Sequence, residues 1–310
     1  MADDYDLLVI GDAKPDVIVT GGGEIAFGKG ERLVEDALLC LGGSGGIAAC
    51  GAAALGLRVA FVGSVGDDAF GRYVVDTLGA HGVDTVGVVT QPGMPTGMSV
   101  ILKRGEEEAV LTAVGTVSHL VAGDIDHDLL GASRHVHLAS FYLQEGLRLG
   151  LRDLFDEAHR SGASTSVDPN RDPTGDWNGG LLDLLSSTDI LFANSIEVRE
   201  ITGVDDIDVA AEALAERGSV VAVKFGQGGG LAMWADEVVR SEAIPVDVVD
   251  TTGSGASFAA GFLSGRLQGD SLDRCLALAV ACASLSMRTL GGTTALPSME
   301  EALAALQDTA

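Results

Sequence analysis

Positive charge is the scarcest feature of this sequence. Its 310 residues carry 19 Lys plus Arg against 45 Asp plus Glu, a formal net charge of −26. Only four lysines exist: Lys14, Lys29, Lys103 and Lys224. Phosphate contacts need clustered Lys and Arg, so this balance argues against nucleic-acid binding and against docking on anionic membranes. No stretch of about 18 uncharged apolar residues occurs, although mean hydropathy is +0.30, so no membrane span is expected. The acidic start, Met-Ala-Asp-Asp-Tyr-Asp, lacks the positive charge that opens a secretory signal. Cysteine is sparse too. Cys40, Cys50, Cys275 and Cys282 form no metal-like pair and read as buried reduced thiols of a cytoplasmic protein. Trp177 and Trp234 stand too far apart to make a stacking platform.

Glycine is abundant, at 43 residues, with no collagen period and no low-complexity run. Most glycines should therefore sit in turns and at element ends. Apolar residues make up 46%, enough for a large core.

Strand and helix patterns alternate along the chain. Asp6 to Gly11 reads as a short buried strand, and Asp16 to Thr20 continues extended before Gly21, Gly22 and Gly23 turn the chain. Gly42-Gly43-Ser44-Gly45-Gly46 opens an Ala-rich helix to Leu55. A strand follows at Val59 to Val62, then a helix from Asp67-Asp68 through Leu78, with acids at its positive end. Residues 95 to 115 break the rhythm with two strands, Met98 to Leu102 and Ala109 to Ala113, around a turn at Arg104-Gly105-Glu106. Alternation then resumes, with strands near His135 to Ala139, Ser164 to Val167, Asp189 to Ala193 and Val220 to Phe225. The last third holds helices at Ser257 to Leu267, Leu272 to Leu290 and Met299 to Leu306. This order predicts one α/β domain over residues 1–310, a doubly wound, mainly parallel sheet with helices on both faces. The interrupting segments, about 13–40 and 93–117, should form a small inserted β-sheet lid. Exposed lid edges need covering, so a lid-to-lid homodimer is expected.

The most informative segment runs from Val248 through Gly261. A strand is expected to end at Asp250, a glycine-rich turn to follow, and a helix to start near Ser257. Backbone N–H groups at Gly253, Ser254 and Gly255 would converge at the helix start, as in an anion site. An ordinary strand-to-helix turn is the plainer reading. His135 and His137 share one face of a strand; with no third ligand spaced to join them, they read as a structural pair.

Here the sequence resembles the carbohydrate kinases of the ribokinase (PfkB) family, whose C-terminal signature reads roughly D-T-T-G-A-G-D-x-F. Counting Ser254 as a small-residue equivalent of Ala, Asp250 through Phe258 fits at all positions but the seventh, where the family has its catalytic Asp and this chain has Ala256. Gly42-Gly43-Ser44 through Val65-Gly66-Asp67-Asp68-x-x-Gly71 looks like the N-terminal signature. Gly11-Asp12-x-x-x-Asp16, Asp168-Pro169-Asn170, Asn194-x-x-Glu197 and Lys224-Phe225-Gly226-x-x-Gly229 resemble further family elements in the family's order, over nearly the whole chain. Each also has a local reading. Asn194 with Glu197 fits a helix cap and its capping box, Asp168 could end a strand before Pro169, Asp12 and Asp16 could be solvated turn acids, and Gly226 to Gly230 could be a hairpin turn.

The resemblance implies a ribokinase-like fold and ATP-dependent transfer of the γ-phosphoryl group to a hydroxyl, usually on a sugar. It places Gly253, Ser254, Gly255 and position 256 at the moving phosphoryl group. The sugar would lie against Asp12, Lys14, Asp16, Gly42, Gly43, Ser44 and Ile47. The nucleotide would lie against Asp168, Asn170, Asn194, Glu197, Lys224, Gly226 and Gly229. Magnesium would be served by Asn194 and Glu197, directly or through water. Some family members add a potassium-type monovalent cation at Asp250, Thr252 and a carbonyl near Gly292. Lys14 and Ile47 depart from the family's frequent Asn, which points to an unusual substrate.

Ala256 cannot take a proton from the acceptor. Three explanations stand: an engineered inactivating replacement, a natural non-catalytic homologue that binds ATP and sugar, or an enzyme with a displaced base. A nucleoside kinase of the adenosine type is the alternative within the same fold. The lid cations Lys14, Lys29, Lys103, Arg32 and Arg104 are expected to focus anionic ligands, with Lys14 on an acidic or phosphorylated sugar; Lys29, Lys103 and Arg104 could instead be solvated turn charges that protect a strand edge.

Overall fold

The computed structural model describes residues 4–21, 28, 30–105, 107–177 and 179–307. Gly22, Gly23, Lys29 and Glu106 lie outside the described residues.

Nine strands form the large sheet. Across it the order is Glu237–Ser241, Gly230–Trp234, Val220–Lys224, Ile190–Asn194, Ser164–Asp168, His135–Ala139, Leu7–Ile10, Val59–Gly66 and Asp84–Gln91. From Val220–Lys224 to Asp84–Gln91 every pairing is parallel; the two strands at the other edge pair antiparallel. The cause is visible in Leu7–Ile10, four apolar residues without a break, all fully buried. Leu7 and Val9 join one apolar cluster with the helices Ser44–Ala54, Ala69–Ala80, Ser254–Gln268 and Leu272–Ser286. Leu8 and Ile10 join another on the opposite face, with Leu151–Ser161 and Ile207–Ala215. Each such side chain contributes roughly 1.5–3 kcal/mol of burial, which only a sheet covered on both faces can supply at every position.

The small sheet has the order Asp36–Gly42, Lys14–Thr20, Met98–Arg104, Glu107–Ala113. Lys14–Thr20 and Met98–Arg104 pair parallel, the rest antiparallel. The N-terminal signature anchors it. Asp68 caps the Ala69–Ala80 helix through Gly71 N–H and also accepts from Thr96 N–H and Oγ1, at the entrance to the second lid segment. A Cβ at Gly66 or Gly71 would strike backbone oxygens there, which is why both are glycine.

Two expectations need correction. Residues 242–249 form no strand. They run extended, tied by Val249 and Asp250 N–H donating to the Met287 carbonyl. The following helix starts at Ser254, three residues early, directly after Gly253, whose left-handed backbone turns the chain into it. Apolar periodicity also misses the Asp84–Gln91 strand, whose side chains are mostly half-buried at a sheet edge.

Candidate active site

The chain leaves Leu7–Ile10 toward one side of the sheet and His135–Ala139 toward the other, so the winding reverses between these neighbours. Ligand sites in open α/β sheets form at such a reversal, beyond the carboxyl ends of the strands. The residues at those ends here are Asp12, Ser140, Asp168, Asn194 and Lys224. A cleft of about 900 Å³ lies over them, closed on one side by the small sheet. That is at the large end of the range for small-molecule sites.

Asp12 is buried and fully engaged. Its Oδ2 accepts from Lys14 Nζ at 2.6 Å, and its Oδ1 from Ser140 Oγ at 2.8 Å and Gly45 N–H at 3.3 Å. Burial pushes its carboxyl up, but Lys14 and these donors outweigh that and hold it below its ordinary value. Burial likewise opposes the charge on Lys14, and Asp12 with Asp16 holds the ammonium protonated. Asp16 differs. Its Oδ1 is buried and has no hydrogen-bond partner in the protein. Burial pushes its carboxyl up to about 6, against the pull of Lys14. Gly42 leaves the space this carboxylate fills, since a Cβ there would overlap it.

On the opposite wall, Lys224 Nζ donates to Asp168 Oδ2 at 2.7 Å. Burial opposes its charge, while Asp168 and Glu197 sustain it, with the net effect upward. Glu197 is pushed up by burial, with Lys224 pulling the other way. Asn194 and Glu197 form a full capping box: Asn194 Oδ1 accepts from Ile196 and Glu197 N–H, and Glu197 accepts from Asn194 N–H and Nδ2. Their polar atoms therefore satisfy one another. Among the described residues no group of three or more His, Cys, Asp or Glu is arranged to hold a metal ion. Direct ligation by this pair does not fit, and a contact through water does.

The anion loop joins the two walls. Gly253 has φ +79°, which favours glycine, and delivers the chain into the Ser254–Gln268 helix. Ser254 N–H bonds Thr251 O and Ser257 N–H bonds Gly253 O. Helix geometry leaves the Gly255 and Ala256 N–H groups without intrahelical acceptors, at the positive end of a 15-residue helix. The Lys224 ammonium lies beside them, 3.4 Å from where a Cβ on Gly255 would stand. Gly226 and Gly229 line the same cleft on the hairpin that joins Val220–Lys224 to Gly230–Trp234.

Ile47 and Ala256 pack together with Ala48 and Leu296. Ile47 Cδ1 covers the loop closely; a Cβ on Gly253 would come within 2.9 Å of it, and one on Gly292 within 2.5 Å. Two of the three departures from the family pattern, Ile47 and Ala256, are thus one apolar contact.

Asp250 sits beneath the loop. Its Oδ1 accepts from Thr252 N–H, Thr252 Oγ1 and Lys103 Nζ, and its Oδ2 from Gly291 N–H. A potassium ion against Asp250 does not fit while the Lys103 ammonium holds that place, and Gly292 lies against Ile47 instead.

Most sequence-derived site residues therefore line one cleft; Gly42, Asp250 and Gly292 lie just behind its wall. The expectation that the lid cations focus anionic ligands needs correction at three of them: Lys14 pairs with Asp12, Lys103 with Asp250 and Glu108, and Arg104 with Glu107, because buried or clustered carboxylates claim them. Arg32 makes no ion pair among the described residues, and Lys29 lies outside them. Ser140 went unnoticed in the sequence. It is left-handed at φ 58°, links Asp12 to Asn170, and its one signal was its place after a parallel strand.

Known proteins resemble this chain over most of its length. A 2-dehydro-3-deoxygluconokinase of Thermoproteus tenax is 30% identical over 257 residues, 80% of this chain and 79% of that one. The adenosine kinase of Sinorhizobium meliloti is 28% identical, with a TM-score of 0.85 over 98% of this chain and 99% of that chain. Arabidopsis thaliana ribokinase, solved with ribose and ATP, is 25% identical with a TM-score of 0.84, covering 99% of both chains. The pfkB family carbohydrate kinase model matches residues 6–299, and the chain belongs to that family.

Proposed function

We propose that this protein binds ATP and a neutral polyhydroxylated acceptor, a sugar or the ribose of a nucleoside, and transfers the γ-phosphoryl group slowly. The observation that carries the acceptor is the buried, unpartnered Asp16 Oδ1 in the cleft wall. An acceptor-only oxygen in that position is costly until a hydroxyl donates to it. Asp12, Lys14 and Asp16 together carry one net negative charge, which disfavours an acidic sugar and leaves Lys14 committed to its own carboxylates.

The nucleotide reading rests on the other half of the cleft. The free N–H groups of Gly255 and Ala256, the dipole of their helix and the Lys224 ammonium form a site for phosphate oxygens. Phe258, Val280, Ala283 and Met287 give that end an apolar lining suited to a base. Magnesium would arrive on the phosphates, with Asn194 and Glu197 meeting it through water, and would offset charge on the transferring group. The acceptor oxygen attacks phosphorus and the bond to ADP breaks. The hydroxyl proton has no carboxylate at position 256 to receive it and passes instead to water or to an oxygen of the transferring phosphoryl group, so transfer is slow. The same arrangement accommodates the non-catalytic reading, in which ATP and sugar are held without transfer.

The test is titration calorimetry with ATP analogues, followed by ADP release with a panel of ribose, fructose, adenosine and 2-dehydro-3-deoxygluconate. ATP binding is expected in the parent, with neutral acceptors preferred. Lys14→Met leaves Asp12 and Asp16 facing each other without a cation and should weaken a neutral acceptor about tenfold or more. Preference for the acidic sugar, or a Lys14→Met protein that loses only acidic ligands, would reverse the assignment.

We propose further that residues 1–310 act as one kinase domain and that two copies meet through their lids. Glu107–Ala113 is an edge strand exposed along its whole length, and Leu39, Val110 and Leu111 are exposed on the same sheet. Natural edges of this kind are usually covered. Light scattering at micromolar concentration should return about twice the chain mass of 31.6 kDa, and Leu111→Lys should halve it. A parent that scatters as a monomer at that concentration removes the proposal.

A further inference from the structure

We infer that Lys103 is a built-in countercation for the anion loop, so that nucleotide binding here needs no monovalent metal ion. The observation is an ion pair between two distant parts of the fold. Lys103 stands on the lid strand Met98–Arg104, and its Nζ lies 2.5 Å from Asp250 Oδ1 and 3.3 Å from Glu108 on the neighbouring lid strand. The Asp250 side chain is only 1% exposed.

A carboxylate so placed must be paired and hydrogen-bonded, and this one is, at both oxygens. Oδ1 takes Thr252 N–H and Oγ1 at the head of the loop; Oδ2 takes Gly291 N–H, from the segment that packs behind it. Asp250 thus ties the chain just before Gly253 to the segment at Gly291. Its own charge is balanced by an ammonium from the lid rather than by a solute. Lys103 is a positioning residue. It does not reach the reacting atoms; it sets the carboxylate that sets the loop. Because it belongs to the lid, the loop is ordered fully only while lid and base are in register.

The lysine can be replaced by a cation from solution only where it has been removed. Lys103→Met keeps the stem and deletes the charge, leaving a buried carboxylate that K⁺ or NH₄⁺ can meet. Two measurements follow, each in KCl and in tetramethylammonium chloride at equal ionic strength. For the parent, melting temperature and ATP affinity should agree between the salts within about twofold in affinity. For Lys103→Met in tetramethylammonium, the melting temperature should fall by roughly 5 °C and ATP affinity by about tenfold, with KCl restoring much of both. In Lys103→Met/Asp250→Asn, melting should recover and the salt difference vanish, since no charge remains to balance.

A parent that requires K⁺ overturns the inference. So does a Lys103→Met protein that matches the parent in both salts, or one whose loss neither K⁺ nor Asp250→Asn repairs. The nucleotide half of this inference rests on the kinase reading, and the melting half does not. A parent that binds no ATP would therefore sink that reading, while the melting data still decide the role of Lys103.

Discussion

Ala256→Asp together with Ile47→Asn is expected to raise phosphoryl-transfer turnover by about 10²–10⁴-fold, the usual contribution of a positioned general base. Ala256→Asp alone is expected to give far less near neutral pH. Position 256 is in the third place of its helix and only 6% exposed, pressed against Ile47 and Leu296. A carboxyl introduced there loses water on the Ile47 side, and Ile47 and Leu296 offer it no donor in exchange. Desolvation holds it protonated, and a protonated carboxyl cannot accept the hydroxyl proton. Its helix dipole and the neighbouring N–H groups pull the other way, so the single variant should gain activity as pH rises. Replacing Ile47 with Asn removes the apolar cover and supplies an amide. The effects are then strongly non-additive, as for any two groups in contact. Turnover with a preferred acceptor, measured between pH 6 and 9 for the parent, both single variants and the double, decides it. Equal gains in the single and double variants would mean Ile47 is no obstacle. Brisk turnover by the parent, with no gain in any variant, would mean another group already takes the proton.

The comparison between sequence and structure has a physical pattern. Repeating apolar runs specify buried parallel strands, so Leu7–Ile10, His135–Ala139 and Ile190–Asn194 were legible without coordinates. Glycines that permit close approach were legible as motifs, and Gly42, Gly66, Gly71 and Gly253 each have a steric reason in the fold. What stayed hidden was pairing between distant segments. Lys103 with Asp250 and Ile47 with Ala256 have no local signature, because neither partner changes the periodicity around it. The scarcity of lysine was a real signal, but it pointed inward. Of the four lysines, the three described each neutralise a buried or partly buried carboxylate. Asn194 and Glu197 show the reverse case. Their spacing carried both a structural and a functional reading, and the capping box accounts for every polar atom it involves.

The second large effect is expected in acid, from the two buried histidines. His135 sits between Ser164 Oγ at 2.6 Å and Ser166 Oγ at 2.7 Å, and His137 Nδ1 lies 2.8 Å from the same Ser166 Oγ. His137 also meets the edge of Phe192 at 5.7 Å between ring centres. Burial disfavours the charged form of each, and their proximity adds repulsion for His135. The His137 imidazole is pushed down to about 4 and His135 well below its ordinary value of 6.5. The unfolded chain then binds protons that the folded one refuses. This contribution to stability is complete above the unfolded value and shrinks as pH falls from about 6.5 toward 4. For His137 alone the loss is about 2 kcal/mol by pH 5, with His135 adding to it. Asp16 acts with the opposite sign. Its carboxyl is pushed up to about 6, so the folded state gains relative stability as pH falls through that value. The histidine effect is therefore read as a difference. Urea unfolding of the parent and of His137→Gln, each between pH 5 and 7.5, cancels Asp16 and the other groups that His137 does not touch, and leaves in the difference the repulsion that His137 exerts on His135. The parent should lose about 2 kcal/mol more than the variant over that range, whatever their stabilities at pH 7.5. Parallel curves would mean that His137 titrates normally in the folded protein and that water reaches it between the strands.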